Sequence, residues 1–157
     1  MKKIFICFLM AVLYCLSFSW AVLEDKADDR KFLAVAWVDS QMKMESFASI
    51  DVMPNFKRDK REYYLTVNFN QELLVERNGT TPFSIEIDGK EKKYNNIISD
   101  DGGVIVKLSN SVLKEMARGS EISFITTSYF GEEIKLTKPL PNNLFELLDE
   151  LRWGKYL

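Results

Sequence analysis

The stretch from Glu62 to Asn70, EYYLTVNFN, carries the clearest structural pattern in the chain. Apolar and polar side chains alternate along it, so that an extended backbone would present one apolar and one polar face. This period of two predicts a β-strand with one face buried against a core. The apolar face consists of Tyr63, Leu65, Val67 and Phe69.

Short apolar or alternating runs on both sides of this stretch predict further strands. Asp88-Gly89 and Tyr129-Phe130-Gly131 supply turns of the kind that join antiparallel strands. The predicted strands cover residues 31–39, 45–53, 83–88, 93–98, 104–108, 121–128 and 133–138.

Two helices are predicted late in the chain. In the first, Ser109 or Ser111 caps a run with apolar residues at helical spacing, and Gly119 ends it. The second begins after Asn142 or Asn143. Its apolar stripe consists of Leu144, Leu147, Leu148 and Leu151. The predicted fold is mainly β: a β-sandwich or open barrel of about eight antiparallel strands, with one short helix and a C-terminal amphipathic helix.

The first 21 residues have the three parts of a secretory signal peptide. Lys2-Lys3 gives a positive start, and an uncharged run extends from Ile4 to Leu23. Ser19 and Ala21 are small residues at the spacing of a cleavage site, so we expect cleavage after Ala21. The basic start and the short signal are typical of bacteria and predict a periplasmic or secreted protein.

The predicted cut leaves a charged, flexible leader over residues 22–30 and a single β-rich domain over residues 31–157. The alternative is an uncleaved anchor. The uncharged run over residues 4–23 has 20 residues, which is long enough to cross a bilayer.

The composition excludes several kinds of chemistry. The chain has no histidine, and its two cysteines, Cys7 and Cys15, both lie in the predicted signal. A Ser-His-Asp or Cys-His centre, a zinc site of thiolates or imidazoles and thiol redox chemistry are therefore impossible. Carboxylate mechanisms and oxygen-ligated calcium or magnesium remain open. We expect a protein that is not an enzyme and uses no cofactor.

The charge balance disfavours nucleic acid as a partner. Loss of Lys2 and Lys3 with the signal lowers the basic count from 21 to 19 against 23 acidic residues, a net charge of −4.

From residue 104 onward, the predicted order is strand, helix, strand, hairpin, strand, helix. The segments over residues 104–109 (VIVKLS) and 111–124 (SVLKEMARGSEISF) resemble the C-terminal half of the invasion-associated locus B family. Those proteins are exported bacterial β-sandwich proteins. The resemblance implies an envelope protein with an accessory, interaction-type role, and it transfers no catalytic residue.

The candidate partner-binding residues are basic or aromatic. Residues 57–61 form the only concentrated basic run, which would suit lipopolysaccharide phosphates or an acidic protein, or could be a solvated loop. Tyr63 and Tyr64 are adjacent in a predicted strand, so one of them must face away from the core. Trp153 and Tyr156 lie near the C-terminus, where an exposed aromatic ring could anchor a partner. The candidates are Lys57, Arg58, Lys60, Arg61, Tyr64, Trp153 and Tyr156.

Two groups of acidic residues have simpler interpretations than a catalytic or metal site. Asp88 and Asp100-Asp101 could surround calcium, but Asp and Gly also suit tight turns. Glu132-Glu133 could supply one carboxylate of a glycosidase pair, or lie exposed at a strand end. We therefore predict no catalytic, metal or cofactor-binding residues.

Together these features predict an exported, non-catalytic envelope protein that binds a protein or an envelope component. An accessory, virulence-associated or inhibitor/immunity-type role would fit. The alternatives are a carboxylate-dependent cell-wall hydrolase and a membrane-anchored structural subunit of the envelope.

Overall fold

The computed structural model describes residues 19–55, 60–97 and 103–152. This part of the chain contains nine strands and two helices. The strands are β1 (Ala21–Asp25), β2 (Arg30–Val38), β3 (Met44–Asn55), β4 (Lys60–Asn68), β5 (Thr80–Ile87), β6 (Lys90–Ile97), β7 (Gly103–Leu108), β8 (Glu121–Thr127) and β9 (Glu133–Pro139). The helices are α1 (Asn110–Arg118) and α2 (Leu144–Asp149).

The strands form two antiparallel sheets around one apolar core. Sheet I has the order β1-β2-β3-β4-β7, and sheet II has the order β6-β5-β8-β9. The stretch that decides the fold forms β4, where Leu65 and Val67 are fully buried. The predicted β-sandwich is confirmed, and the two sheets do not join into a barrel.

The structure differs from the predicted flexible leader over residues 22–30. Ala21–Asp25 pairs with β2 as the edge strand of sheet I, and Val22 packs against the core. Glu24, one of the charged residues that suggested a leader, is exposed towards the end of this edge strand, where charge is tolerated. Arg152 Nη2 lies 2.8 Å from Glu24 Oε1 and 3.0 Å from Asp29 Oδ1.

Aromatic rings from both sheets meet at the centre of the sandwich. The ring of Phe124, in sheet II, is fully buried. Its centroid lies 6.1 Å from that of Trp37 in sheet I and 6.5 Å from that of Phe83 in its own sheet. Trp37 Nε1 also donates to the carbonyl of Thr137 at 3.2 Å, which is a polar link between the sheets.

Helix α1 forms where its sequence predicts it. The Ser109 hydroxyl accepts from the Val112 amide at the first turn, and the Gly119 amide donates to the Glu115 carbonyl at the last. A Cβ atom at Gly119 would lie 2.6 Å from Ile87 Cγ2. Glycine is therefore needed here because β5 approaches closely, and not because of an unusual backbone angle.

The predicted stripe is confirmed over α2, where Leu144 and Leu148 are buried and Leu147 packs partly against the core. Leu151 is also buried, but it lies beyond the helix, which ends at Asp149 and is shorter than predicted. Within residues 19–55, 60–97 and 103–152, neither helix is long and apolar enough to cross a membrane.

Replacement of Phe124 by alanine should remove the contact on which the core is centred. We expect Phe124→Ala to lower the free energy of unfolding by about 3–5 kcal/mol, because a large buried ring leaves a cavity. Phe130→Ala, in the exposed hairpin after the same strand, is the matched control and should change it by less than about 0.5 kcal/mol. Urea denaturation measures both, and equal losses would contradict the assigned core.

Candidate binding surfaces

Lys60 and Arg61, two of the predicted partner-binding residues, open strand β4 and line a cavity of about 230 Å³. Further lining comes from the end of β7 and the start of α1. These lining residues are Lys107, Leu108, Ser109 and Asn110.

The cavity carries a surplus of positive charge. Lys107 Nζ lies 2.6 Å from Glu62 Oε1, so that cation is neutralised. Lys60 and Arg61 are exposed, and neither pairs with a carboxylate in the part of the chain that the structure describes. Lys92 does not itself line the cavity, but its Nζ donates to Ser109 Oγ, at the cavity wall, at 3.4 Å. Such a cavity can hold an anionic group.

Tyr64 lies on the outer face of sheet I and does not line this cavity. Its hydroxyl donates to Glu62 Oε2 at 3.1 Å. Partial desolvation and this hydrogen bond raise the pKa of Tyr64 above its ordinary value. Lys57, Arg58, Trp153 and Tyr156 lie outside the described residues, so their binding role stays a prediction.

Asp51, opposite Tyr64 in the register, is a largely buried carboxylate on the outer face of sheet I, with its side chain 16% exposed. Desolvation raises the pKa of Asp51, and Arg30, whose Nε lies 3.6 Å from Oδ1, only partly offsets it. A raised carboxyl pKa is one requirement of a glycosidase acid. Asp51 lies on a sheet face, however, and does not line the basic cavity.

The remaining acidic candidates take separate positions. The carboxylate of Asp88 accepts from the backbone amides of Ser120 and Glu121 at 3.0 Å, which joins the β5–β6 turn to the start of β8. Asp100 and Asp101 lie outside the described residues. Among the residues described, no three potential metal ligands come together.

Among the described residues, the most exposed aromatic pair lies in the hairpin between β8 and β9. Tyr129 is 62% exposed and Phe130 is 85% exposed. Their ring centroids lie 5.6 Å apart at an interplanar angle of 84°. We call these two residues the aromatic tip.

The backbone holds the aromatic tip in place. The Ser128 amide donates to the Glu132 carbonyl at 2.8 Å, and the Tyr129 amide donates to the Glu72 carbonyl at 3.0 Å. Gly131 has a φ of +85°, which glycine adopts without strain and which closes the turn. The rings are therefore presented from a fixed hairpin that is joined to the preceding loop.

Acidic side chains predominate on the two segments that meet at the aromatic tip. Glu72, Glu76, Glu132 and Glu133 are all exposed there, and Arg77 is the one cation within residues 72–77 and 128–133. Glu76 and Glu133 also line a cavity of about 260 Å³ on the neighbouring face of sheet II. Lys93 lines this adjoining cavity as well. Val75, 52% exposed, extends the apolar surface of the same loop.

Sequence reasoning did not select the aromatic tip. Alternation assigns each aromatic residue to one face of a strand, and a turn belongs to neither face. The signal was nevertheless present, because hairpin turns normally use Gly, Asn, Asp, Ser and Pro. Two adjacent aromatic rings in a turn have no core to enter, and they therefore suggest a contact surface.

The comparisons with known proteins concern the fold. Invasion associated protein B from Bartonella henselae superimposes with a TM-score of 0.59 at 16% sequence identity. The match covers 85% of this chain and 91% of the Bartonella protein. The fold is that of invasion associated protein B. The resemblance seen in residues 104–124 therefore extends to most of the chain. No protein-family model and no curated protein sequence matches it.

The buried position of Asp51 gives a pH dependence with a definite sign. Because the pKa of Asp51 is raised in the folded protein, its ionisation destabilises the fold, and this destabilisation develops as pH rises through that pKa. Asp51→Asn should therefore be more stable than the parent at pH 7, and this gain should largely vanish at pH 3. Urea denaturation at both pH values measures it. The exposed Glu45→Gln is the control, and a gain that is equal at both pH values would contradict the assignment.

Proposed function

We propose that this protein is an exported, non-catalytic envelope protein that binds another protein through the aromatic tip. Export is supported by the signal-like N-terminus, and an interaction role by the shared fold with a protein whose name associates it with invasion. An accessory, virulence-associated or inhibitor-type role is compatible with this proposal. A periplasmic or secreted location follows from the same N-terminal pattern.

The exposure of Phe130 is the observation that carries the proposal. The ring of a phenylalanine that is 85% exposed buries little apolar area, so it contributes almost nothing to the stability of the folded state. At an interface the same ring fills a pocket, and such anchors contribute most of the binding energy. Because hydrogen bonds already order the hairpin, binding loses little conformational entropy.

The acidic side chains on the two segments that meet at the aromatic tip indicate the chemistry of the expected partner. Carboxylates around an apolar centre favour a protein pocket with a basic border. The same charges disfavour an anionic lipid surface, which would repel Glu72, Glu76, Glu132 and Glu133. The expected partner is therefore a protein with an apolar pocket ringed by Lys or Arg.

The double variant Tyr129→Ala/Phe130→Ala tests the aromatic tip. Capture from envelope and periplasmic extracts with the parent protein should yield one near-stoichiometric partner. The double variant should bind it at least ~30-fold more weakly, because hot-spot aromatic residues contribute about 2 kcal/mol or more. Ile105→Ala, an apolar truncation at a 47%-exposed position in β7, is the control and should bind normally. Undiminished capture by the double variant would contradict the proposal.

A second candidate function is supported by the unpaired cations of the basic cavity. Lys60 and Arg61 could bind an anionic group of an envelope component, such as a phosphate. We expect Lys60→Gln/Arg61→Gln to abolish the amide shifts that inorganic phosphate produces around this cavity in NMR titrations at low salt. Lys43→Gln/Arg77→Gln removes the same charge away from the cavity and should retain them. Amide shifts that persist in Lys60→Gln/Arg61→Gln would exclude Lys60 and Arg61 as the phosphate site.

The alternatives remain distinguishable from binding. A carboxylate-dependent hydrolase needs two acids facing each other across a cleft. That the protein is not an enzyme is part of our proposal, and a test for hydrolysis checks it. Purified protein should leave peptidoglycan intact between pH 4 and pH 8, and release of soluble fragments would favour the hydrolase. A membrane-anchored structural subunit would instead retain residues 4–23.

A further inference from the structure

Trp20, directly before β1, belongs to the core of the sandwich. It is only 4% exposed, and its ring centroid lies 6.4 Å from that of Phe124 in an edge-on contact. Trp20 and Val22 face the core, whereas Ala21 and Leu23 pack on the outer face of sheet I. The alternation of β1 therefore begins at Trp20, within the segment that a cut after Ala21 would remove.

A cut after Ala21 would damage this structure in two ways. It would remove the indole that fills the core beside Phe124, and a buried aromatic ring is among the largest single contributors to stability. It would also remove the residue that pairs with Ala34 and start the chain inside the strand, at Val22. The new terminus, a charged amino group, would then belong to Val22, whose side chain packs against the core.

The sequence offers a second site that avoids both losses. Ser17 and Ser19 have the same small-x-small spacing as Ser19 and Ala21, and the bond after Ser19 precedes Trp20. Ser19 is exposed, so the chain reaches the surface at this point. We propose that the export signal is removed between Ser19 and Trp20. This inference rests on the export that forms part of the proposed function.

The position of the cut can be read from the protein as a bacterium exports it. The full chain, expressed with its own signal and a C-terminal tag, is isolated from the cell envelope and medium. Its intact mass and N-terminal sequence are then determined. A chain that begins at Trp20 supports the proposal. A chain that begins at Val22 overturns it but leaves export intact, and a chain that retains Met1 overturns both the cut and the proposed removal of the signal.

Two matched variants separate the competing sites. Ser17→Leu places a large residue three positions before the bond after Ser19 and does not change the small pair before the bond after Ala21. Ala21→Val blocks only the bond after Ala21. We expect Ser17→Leu to abolish the Trp20 terminus and Ala21→Val to retain it. The reverse pattern would overturn the proposal.

A stability measurement on the processed protein provides an independent readout. If Trp20 is retained, Trp20→Ala should lower the melting temperature by roughly 10 °C or more, and Trp20→Phe by clearly less. If the cut follows Ala21, the exported parent and both variants are the same molecule and melt together. Identical melting temperatures would therefore overturn the proposal even without sequencing, and they would not affect the binding test on the aromatic tip.

Discussion

The contact of Phe124 with aromatic rings on both sides is the interaction on which the rest of the structure depends. Trp20 and Trp37 approach it from the side of sheet I, and Phe83 stacks beside it in sheet II. Neither cysteine of the chain lies among the described residues, so the described sheets are joined by noncovalent packing and not by a disulfide. The one polar link between the sheets noted above, from Trp37 to Thr137, involves a member of this ring cluster.

This arrangement separates the residues that stabilise the core from those that we propose bind a partner. Large apolar side chains fill the interior, and the groups available to a partner lie where strands end or turn. The basic cavity forms where β4 begins, and the aromatic tip forms where β8 gives way to β9. Residues at such positions can change without disturbing the core, which allows one sandwich to serve different partners.

The sequence predicts most strands well because the alternation of apolar and polar residues within a strand shows which of its faces is buried. Alternation along β4 and the turn at Asp88-Gly89 both depend on neighbours in sequence, and both are found. Strand β1 was missed because its pairing with β2 and the ion pair of Glu24 with Arg152, a residue far along the chain, leave no local pattern in the sequence. The order of the strands was likewise unpredictable, since pairings such as Asn68 with Gly103 leave no local trace. The aromatic tip was visible in the sequence, but its exposure became known only with the fold.

The interleaving of the two sheets has a consequence for how the chain folds. After β4 the chain leaves sheet I, builds two strands of sheet II, and returns so that β7 can pair with β4. Sheet II in turn waits for β8, which follows β7 and α1. Neither sheet can be completed before most of the chain is available, so the domain should fold slowly and as one cooperative unit. A chain of this kind stays unfolded longer after synthesis than a helical bundle. An unfolded chain is the form that can pass lengthwise through a narrow membrane channel, which suits the proposed export.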